Sequence, residues 1–516
     1  NTMPNTLTRR TLLKQTAAAA IAPMILPSGV LAANGKPGAN DRLVVGHIGI
    51  GGMGSGHLKF IQGHDSFTSG ALCDVDQEHL ARAKDIVGRD VPTYNDYRKV
   101  LEQKDLDAVI IAAPDHWHGV MAVQACEAGK HVYVEKPSSV TVEEGRAMVK
   151  AARKHNRVMQ VGSQGRSQEG AWKAWNYIRN GQISDVTRVD CWHYENPEGG
   201  DWNKNGPAPS TLDWDLWLGP AQWVPYNPDR VHFNFRWFLD FGGGQIRDRG
   251  AHVLSVISWI LDLDTRHPAR ITATGTPPAT GMYNCPPKME VIYEYEDPKL
   301  TITWNQPGVR AVDYDFGAVY QGTSDKLVVR GGDGGTFTED KAMKYEPGAG
   351  GKHAFVSPGQ HVNWLDCIKS GDKPIMDIEP AHAVAKMCIL ANISYRIQRP
   401  IRWDGEHERI IDANYHSIPL PPEGLVISSK LAEVLGARLG DRVLVEFLEG
   451  RRYQVTVPLA GFSEDFAGMV AHMDRRALNR ILGDGDIMTG ASFRVDSARW
   501  RDFLNQLKEV PQVSWV

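Results

Sequence analysis

A chain of 516 residues is longer than one ordinary domain and predicts two or three. Its 42% hydrophobic and 23% charged residues are those of a folded chain, not a disordered one. With 57 Lys and Arg against 61 Asp and Glu, the net charge of −4 gives no reason to expect a nucleic acid or an anionic membrane as partner.

Residues 1–34 stand apart. Arg9 and Arg10 precede an Ala-rich apolar run, broken by Pro23 and Pro27 and closed by the small residues Ala32 and Ala33. This is the pattern of a twin-arginine export signal, too short and too interrupted for a transmembrane anchor; a disordered tail is the alternative. No later segment is long and apolar enough to span a bilayer. The expected mature protein is soluble and periplasmic, carried folded by the twin-arginine machinery. Cys73, Cys126, Cys191, Cys285, Cys367 and Cys388 form no C-x-x-C pair, so neither a metal site nor a disulfide framework is expected, only buried thiols. Fifteen Trp suit either sugar stacking or an ordinary core.

Residues 43–50 form an apolar, β-branched run, as a buried parallel strand requires. Gly49, Gly51 and Gly54 then give G-x-G-x-x-G, with Gly52 and Met53 inside it. The first glycine allows a tight turn, the second lets backbone approach a pyrophosphate, and the third lets a helix pack on its strand. A second strand ends in Asp74, 20 residues past Gly54. A carboxylate there accepts from the adenosine ribose and repels a 2′-phosphate, which favours NAD over NADP. Asp76 reads as the N-cap of the next helix. A strand over 108–112 leads to Pro114, His116 and His118. The strand "HVYV" ends in Glu135, Lys136 and Pro137, and "RVMQVGSQ" ends in Gln164. Strands alternating with helices predict a doubly wound parallel sheet. Its loops gather Gly49, Asp74, residues 114–118, Glu135 and Lys136 on one edge.

Together these residues resemble the Gfo/Idh/MocA oxidoreductase family, which includes glucose–fructose oxidoreductase and inositol dehydrogenase. The likeness covers residues 40–412 and is carried by the glycine fingerprint, "AAPDHWH", "EKP" and "VMQVGSQGRS". It implies an NAD-binding Rossmann domain over 40–160. It also implies an α+β substrate and oligomerisation domain over 161–412, whose large, mostly antiparallel sheet covers the nicotinamide. The lysine of "EKP", here Lys136, is expected beside the substrate hydroxyl. "DRGAH" matches the family's D-x-G-x-H, so Asp248 and His252 are expected to join Lys136 as the catalytic set; four residues apart on a helix, they share a face. Many members carry an aspartate where this chain has Ser255. "LDWDLWLGPA" at 212–221 is similar to the sugar-active branch. Arg166, Trp214 and Trp217 are the substrate-contact expectations, and Gln164 is placed with the cofactor set beside Pro114, His116, His118 and Glu135. The strand runs after Arg270 are short and turn-punctuated, as an antiparallel sheet requires.

The function implied is an exported, NAD-dependent oxidoreductase acting on a sugar, polyol or glycoside by hydride transfer, with Lys136 or His252 taking the proton. Soluble NAD is scarce outside the cytoplasm, so a tightly retained cofactor is expected. One alternative is a redox glycosidase that works through a keto-sugar. Another, of a different class, is a nucleotide-bound sensor or interaction protein without turnover. A homo-oligomer through the second-domain sheet is expected, as is a cis Lys136–Pro137 bond.

From residue 418 the character changes. "EGLVISSKLAEVLGARLGDRV" followed by "YQVTVPLAG" resembles the periplasmic core domain of FtsX-like and macrolide-exporter-type ABC permeases. Residues 418–516 therefore read as a small extra α+β domain, either a fused interaction module or a foreign joining. His472 in it is isolated and reads as structural.

Overall fold

The computed structural model describes residue 38, residues 41–308, 316–332 and 335–411, and shorter stretches at 424–428, 431–432, 435–447, 454–463, 471–473 and 493–495. The export-signal reading of 1–34 lies outside the described residues, as does much of the permease-like stretch.

The first sheet holds β1 (Leu43–Ile48), β2 (Phe67–Cys73), β3 (Thr93–Tyr94), β4 (Ala108–Ile111), β5 (His131–Glu135) and β6 (Met159–Gly162). Their order is β3-β2-β1-β4-β5-β6, and every neighbouring pair is parallel. This is the doubly wound dinucleotide-binding order; the chain reverses between β1 and β4, which opens a crevice at their C-terminal ends. β4 is buried at all its positions, as a central parallel strand with both faces covered must be. The helix Val142–Lys154 follows the "EKP" turn because Thr141 and Glu144 form a reciprocal capping box.

The second sheet holds β7 (Val186–Trp192), β8 (Arg270–Thr276), β9 (Lys288–Tyr295), β10 (Leu300–Gln306), β11 (Phe316–Gly322), β12 (Lys326–Gly332), β13 (Gly335–Thr338), β14 (Ile401–Asp404) and β15 (Arg409–Ile410). The order is β13-β12-β11-β7-β10-β9-β8-β14-β15. β7 and β10 run parallel and the other pairs antiparallel, so the sheet is mixed and mostly antiparallel, as expected. The expected strand runs after Arg270 are all present; β7 is the strand the pattern did not single out. Helices Gln245–Ile260 and Ile378–Ile397 pack together, and the latter also lies against β8 and the Val142–Lys154 helix. It thereby joins the two sheets into one core. Gln245–Ile260 buries Ile246, Leu254, Ile257 and Ile260, leaving Asp248, Arg249 and His252 partly open toward the crevice.

All six cysteines are buried and unbridged. Among the described residues no helix is long and apolar enough to cross a membrane. The described strands after residue 424, β16 (Leu425–Ser428), β17 (Arg442–Phe447), β18 (Gln454–Ser463), β19 (Ala471–Met473) and β20 (Phe493–Val495), pair with one another as a separate sheet, β19-β16-β18-β17-β20.

Candidate active site

At the nucleotide end, Gly49 has φ +79°, and a Cβ there would sit 2.6 Å from the Ala113 nitrogen. A Cβ on Gly54 would sit 2.0 Å from the Gly49 carbonyl, so the helix Gly52–Gln62 can lie this close to its strand only with glycine there. That helix has no side-chain cap and no acid in its first turn, leaving its N-terminal N–H groups free for phosphate oxygens. Gly51, Gly52 and Met53 line a cleft of about 510 Å³. Asp74 stands on the cleft wall. Its Oδ2 accepts from the Ile50 N–H at 2.6 Å and from His79 Nδ1 at 3.2 Å, and its Oδ1 accepts from the Asp76 N–H at 2.9 Å. Asp76 caps the Gln77–Val87 helix as expected and pairs with His232 Nε2 at 3.3 Å. Ring and carboxylate ligand atoms of Asp76, His79 and His232 lie within 4.8 Å of one another at this end.

Residues 211–217 form a roof over this end. The Gln77 N–H donates to Thr211 O at 2.9 Å and the Asp213 N–H to Val75 O at 3.0 Å. Trp117 Nε1 donates to the carbonyls of Leu216 and Trp217, at 3.1 and 3.0 Å.

At the other end of the cleft, Lys136 and Asp248 form an ion pair across the two domains. Arg236 Nε lies 3.4 Å from the second Asp248 oxygen. Burial would raise the Asp248 carboxyl, but Lys136 and Arg236 outweigh it and hold the group well below the carboxylate range. His252, one turn on, lines the same cleft, and among the described residues its ring has no hydrogen-bond partner. Burial first, and the Lys136 charge second, lower its pKa to about 3. It is therefore a neutral imidazole with a lone pair at neutral pH. The Lys136–Pro137 peptide is cis, as expected. Gln164 also lines the cleft, and its Oε1 is buried with no partner among the described residues.

The remaining sequence-chosen residues divide. Pro114, Glu135 and His118 line the cleft, but the polar atoms of the last two are already engaged. Glu135 accepts from His57 Nε2 at 2.9 Å and from the Lys136 N–H at 3.2 Å. The two ring nitrogens of His118 lie 2.7 and 2.8 Å from the carbonyls of Pro137 and Ala113, pinning two strand-end turns together. His116 does not line the cleft. Its Nε2 donates to Trp217 O at 3.1 Å and its ring packs edge-on against Phe241, so it ties the roof down instead of meeting a cofactor. Arg166 is corrected as well. It is 1% exposed and forked onto Asp264 at 2.6 and 2.8 Å, with Nε on Ser255, the position where many members carry aspartate. Trp214 donates Nε1 to Val224 O and stacks on Trp217 at 4.9 Å; of the two, only Trp217 reaches the cleft. The sequence reading missed Arg236, Arg249, His79 and His232. Arg249 sits inside the "DRGAH" motif, where its charge was the available signal.

Two models of one family match consecutive parts of the chain. Residues 43–163 match the oxidoreductase family's NAD-binding Rossmann fold, and 179–418 match its C-terminal alpha/beta domain. The chain belongs to the Gfo/Idh/MocA oxidoreductase family. Its first domain is the NAD-binding Rossmann domain of that family, and NAD is the cofactor. Inositol 2-dehydrogenase of Salmonella typhimurium is 33% identical over 154 residues, which are 30% of this chain and 46% of that protein. Glycosyl hydrolase family 109 protein 2 of Shewanella sp. strain ANA-3 is 40% identical over 112 residues, 20% of this chain and 25% of that protein. The matches thus span less than half the length of these relatives. Among solved structures, the WlbA dehydrogenase of Bordetella pertussis in complex with NADH and UDP-GlcNAcA superposes with a TM-score of 0.53 at 17% identity, covering 70% of this chain and 99% of that one. A levoglucosan dehydrogenase complex with NADH gives 0.50 at 18% identity, over 70% and 99%. These two likenesses concern the fold.

Proposed function

We propose that this oxidoreductase moves a hydride between NAD and a carbinol carbon of a sugar or polyol held against Lys136, Asp248 and His252. The observation that carries the reading is the Lys136–Asp248 pair, formed between two domains in the cleft that begins at the glycine turn. When bound, the nicotinamide accepts or returns the hydride. In oxidation the hydroxyl loses its proton as hydride leaves. The neutral His252 imidazole takes that proton, while the Lys136 ammonium, oriented by Asp248, donates a hydrogen bond to the same oxygen. Gln164, on the cleft wall, would border the cofactor. The test is a panel of sugars and polyols with the purified protein, followed at the reduced-nicotinamide absorbance. Turnover that survives Lys136→Ala on every accepted substrate sinks the assignment.

A second reading is favoured by the roof over the adenosine end and by the local likeness to glycosyl hydrolase family 109 proteins. A cofactor enclosed this way is retained and recycled in place. Oxidation of a glycoside carbon to a ketone acidifies the neighbouring C–H. His252 removes that proton, the glycosidic bond breaks with the aglycone leaving, water adds, and the hydride returns to the carbon. Glycoside cleavage with no net change in NADH favours this reading; accumulation of free NADH and a keto-sugar opposes it. Export of the folded, loaded chain by the signal at 1–34 and self-association through the second-domain sheet belong to the same proposal. Fractionation and sedimentation test them.

A further inference from the structure

The cofactor cleft of about 510 Å³ adjoins a second cavity of about 880 Å³ at its reacting end. Phe233, Asp248 and Arg249 line both, so the two spaces meet at the catalytic set. NAD accounts for the first space. The second lies near the top of the ~300–1,000 Å³ range of small-molecule sites. A single sugar ring held at Lys136, Asp248 and His252 is much smaller than this outer space.

The outer cavity offers aromatic surface. Phe233 is 61% exposed and Tyr194 40%, and Trp237 stands on the same wall. Neighbours hold both exposed rings in place. The Arg236 guanidinium lies 4.3 Å from the Phe233 centroid, Trp237 meets that ring edge-on at 6.1 Å, and His193 lies 4.1 Å from Tyr194. Rings that are fixed by neighbours yet open to a cavity are platforms for a ligand with an apolar face. The charges on this wall disfavour an acidic ligand. Glu195, Glu198 and Asp248 line it against Arg249 and Lys288. Each carboxylate is engaged: Asp248 with Lys136 and Arg236, Glu195 with Lys288 at 3.7 Å, and Glu198 with the Ala279 N–H at 3.1 Å. A neutral sugar ring suits such a wall, with its C–H face against an aromatic ring and its hydroxyls toward the charged groups. The cavity on the other side of Arg249, of about 380 Å³, lacks this surface. There Tyr320 is fully buried, and Phe316 already packs on His193 and Arg249.

We propose that the substrate is a neutral glycoside of at least two sugar rings. The ring with the reacting carbinol sits at Lys136, Asp248 and His252, and the next ring stacks on Phe233 and Tyr194 in the outer cavity. Phe233 stands at the junction of the two spaces, whereas Tyr194 lines the outer one alone. This rests on the hydride-transfer reading for what happens at the first ring, but not for the binding of the second. Tyr194 and Phe233 are specificity-determining residues and take no part in the chemistry.

The test is a calorimetric titration of the purified holoenzyme. The probes are cellobiose, maltose and lactose against D-glucose and D-galactose, with D-glucuronate as the charged control. The expected result is a disaccharide that binds about ten- to a hundredfold tighter than its monosaccharides, the worth of two aromatic contacts. Tyr194→Ala should cut that ratio by about tenfold, Phe233→Ala should cut it as well, and Tyr194→Phe, which keeps the ring, should preserve it. Both rings are exposed, so melting temperatures should stay near wild type in all three variants. Disaccharides that bind no tighter than their monosaccharides overturn the proposal. So does a preference that survives Tyr194→Ala and Phe233→Ala together, or D-glucuronate bound tighter than every disaccharide. Disaccharides held through Tyr194 that pass no hydride overturn the hydride-transfer reading and leave the second-ring site standing. Hydride transfer from monosaccharides, with no affinity gained from a second ring, does the reverse.

Discussion

Lys136 and Asp248 lie 112 residues apart, on different domains, and meet as an ion pair at the end of the cofactor cleft. Each side chain is nearly nine-tenths buried, at 11% and 13% exposure. The pair therefore belongs to the active site and to the domain interface together. Lys136→Ala should keep NAD binding and lose turnover by ~10²–10⁴. Removing one partner of a buried pair costs about 3–5 kcal/mol, because the other charge is stranded. Asp248→Ala should be the more destabilising, since it leaves Arg236 facing Lys136. A double-mutant cycle by denaturant melts should give a coupling of about 0.5–3 kcal/mol. Strict additivity would mean that the two residues do not interact in solution.

His252 supplies a pH prediction. Its folded pKa is lowered to about 3, below the ordinary 6.5, so the proton-accepting form persists as pH falls and disappears only near pH 3. The acid limb of kcat/KM should therefore not carry a His252 step near 6.5. Comparing the pH profiles of wild type and His252→Gln checks this. A limb near 6.5 that vanishes in the variant contradicts the neutral-imidazole account.

Asp74 should set the cofactor choice. Asp74→Ala should weaken NAD by about tenfold or more, the worth of charge-assisted hydrogen bonds, and narrow the preference over NADP. Calorimetry with both cofactors on stripped protein decides it. Unchanged NAD affinity would mean that the carboxylate serves only Ile50, Asp76 and His79.

Buried neutral histidines should make the fold acid-labile. His47 and His361 are lowered to about 3 and His116 to about 4, each chiefly by burial. Below pH 6.5 the unfolded chain takes up protons that the folded chain refuses. Stability is therefore full above 6.5 and is lost as pH falls toward 4 and then 3, with each group adding up to about 1.4 kcal/mol per pH unit. Melting temperatures between pH 7.5 and 4.5 measure this. A flat profile would rule out these depressed values.

His116 separates a structural role from a cofactor role. His116→Ala removes its bond to Trp217 O and its packing on Phe241, at a cost of about 1–3 kcal/mol. Thermal stability should fall while the intrinsic chemistry of bound substrate is kept. A loss of the hydride step with unchanged stability would return His116 to the active site.

What was legible in the sequence was what backbone chemistry and short-range spacing dictate. Gly49 and Gly54 are required by contacts under 3 Å, and such demands are written locally as glycine. Asp248 and His252 share a helical face, so their spacing was informative. The sequence reading places both His116 and His118 with the cofactor, yet residues two apart on a helix point to different sides, and of the two His118 lines the cleft. Arg166 and Arg249 could not be sorted from sequence. Whether an arginine is satisfied depends on a distant partner, present for Arg166 in Asp264 and absent for Arg249 among the described residues. β7 was missed because its outer positions are half exposed and its parallel partner, β10, lies more than 100 residues away.

The roof over the adenosine end has a kinetic meaning. Two of its ties are backbone amides, Gln77 on Thr211 and Asp213 on Val75, one from each domain. Release of a cofactor past these ties is no faster than their opening. The exchange of these two amides with deuterated solvent is then a clock for NAD release, readable without substrate. A dissociation rate faster than that clock would mean that NAD has a second way out.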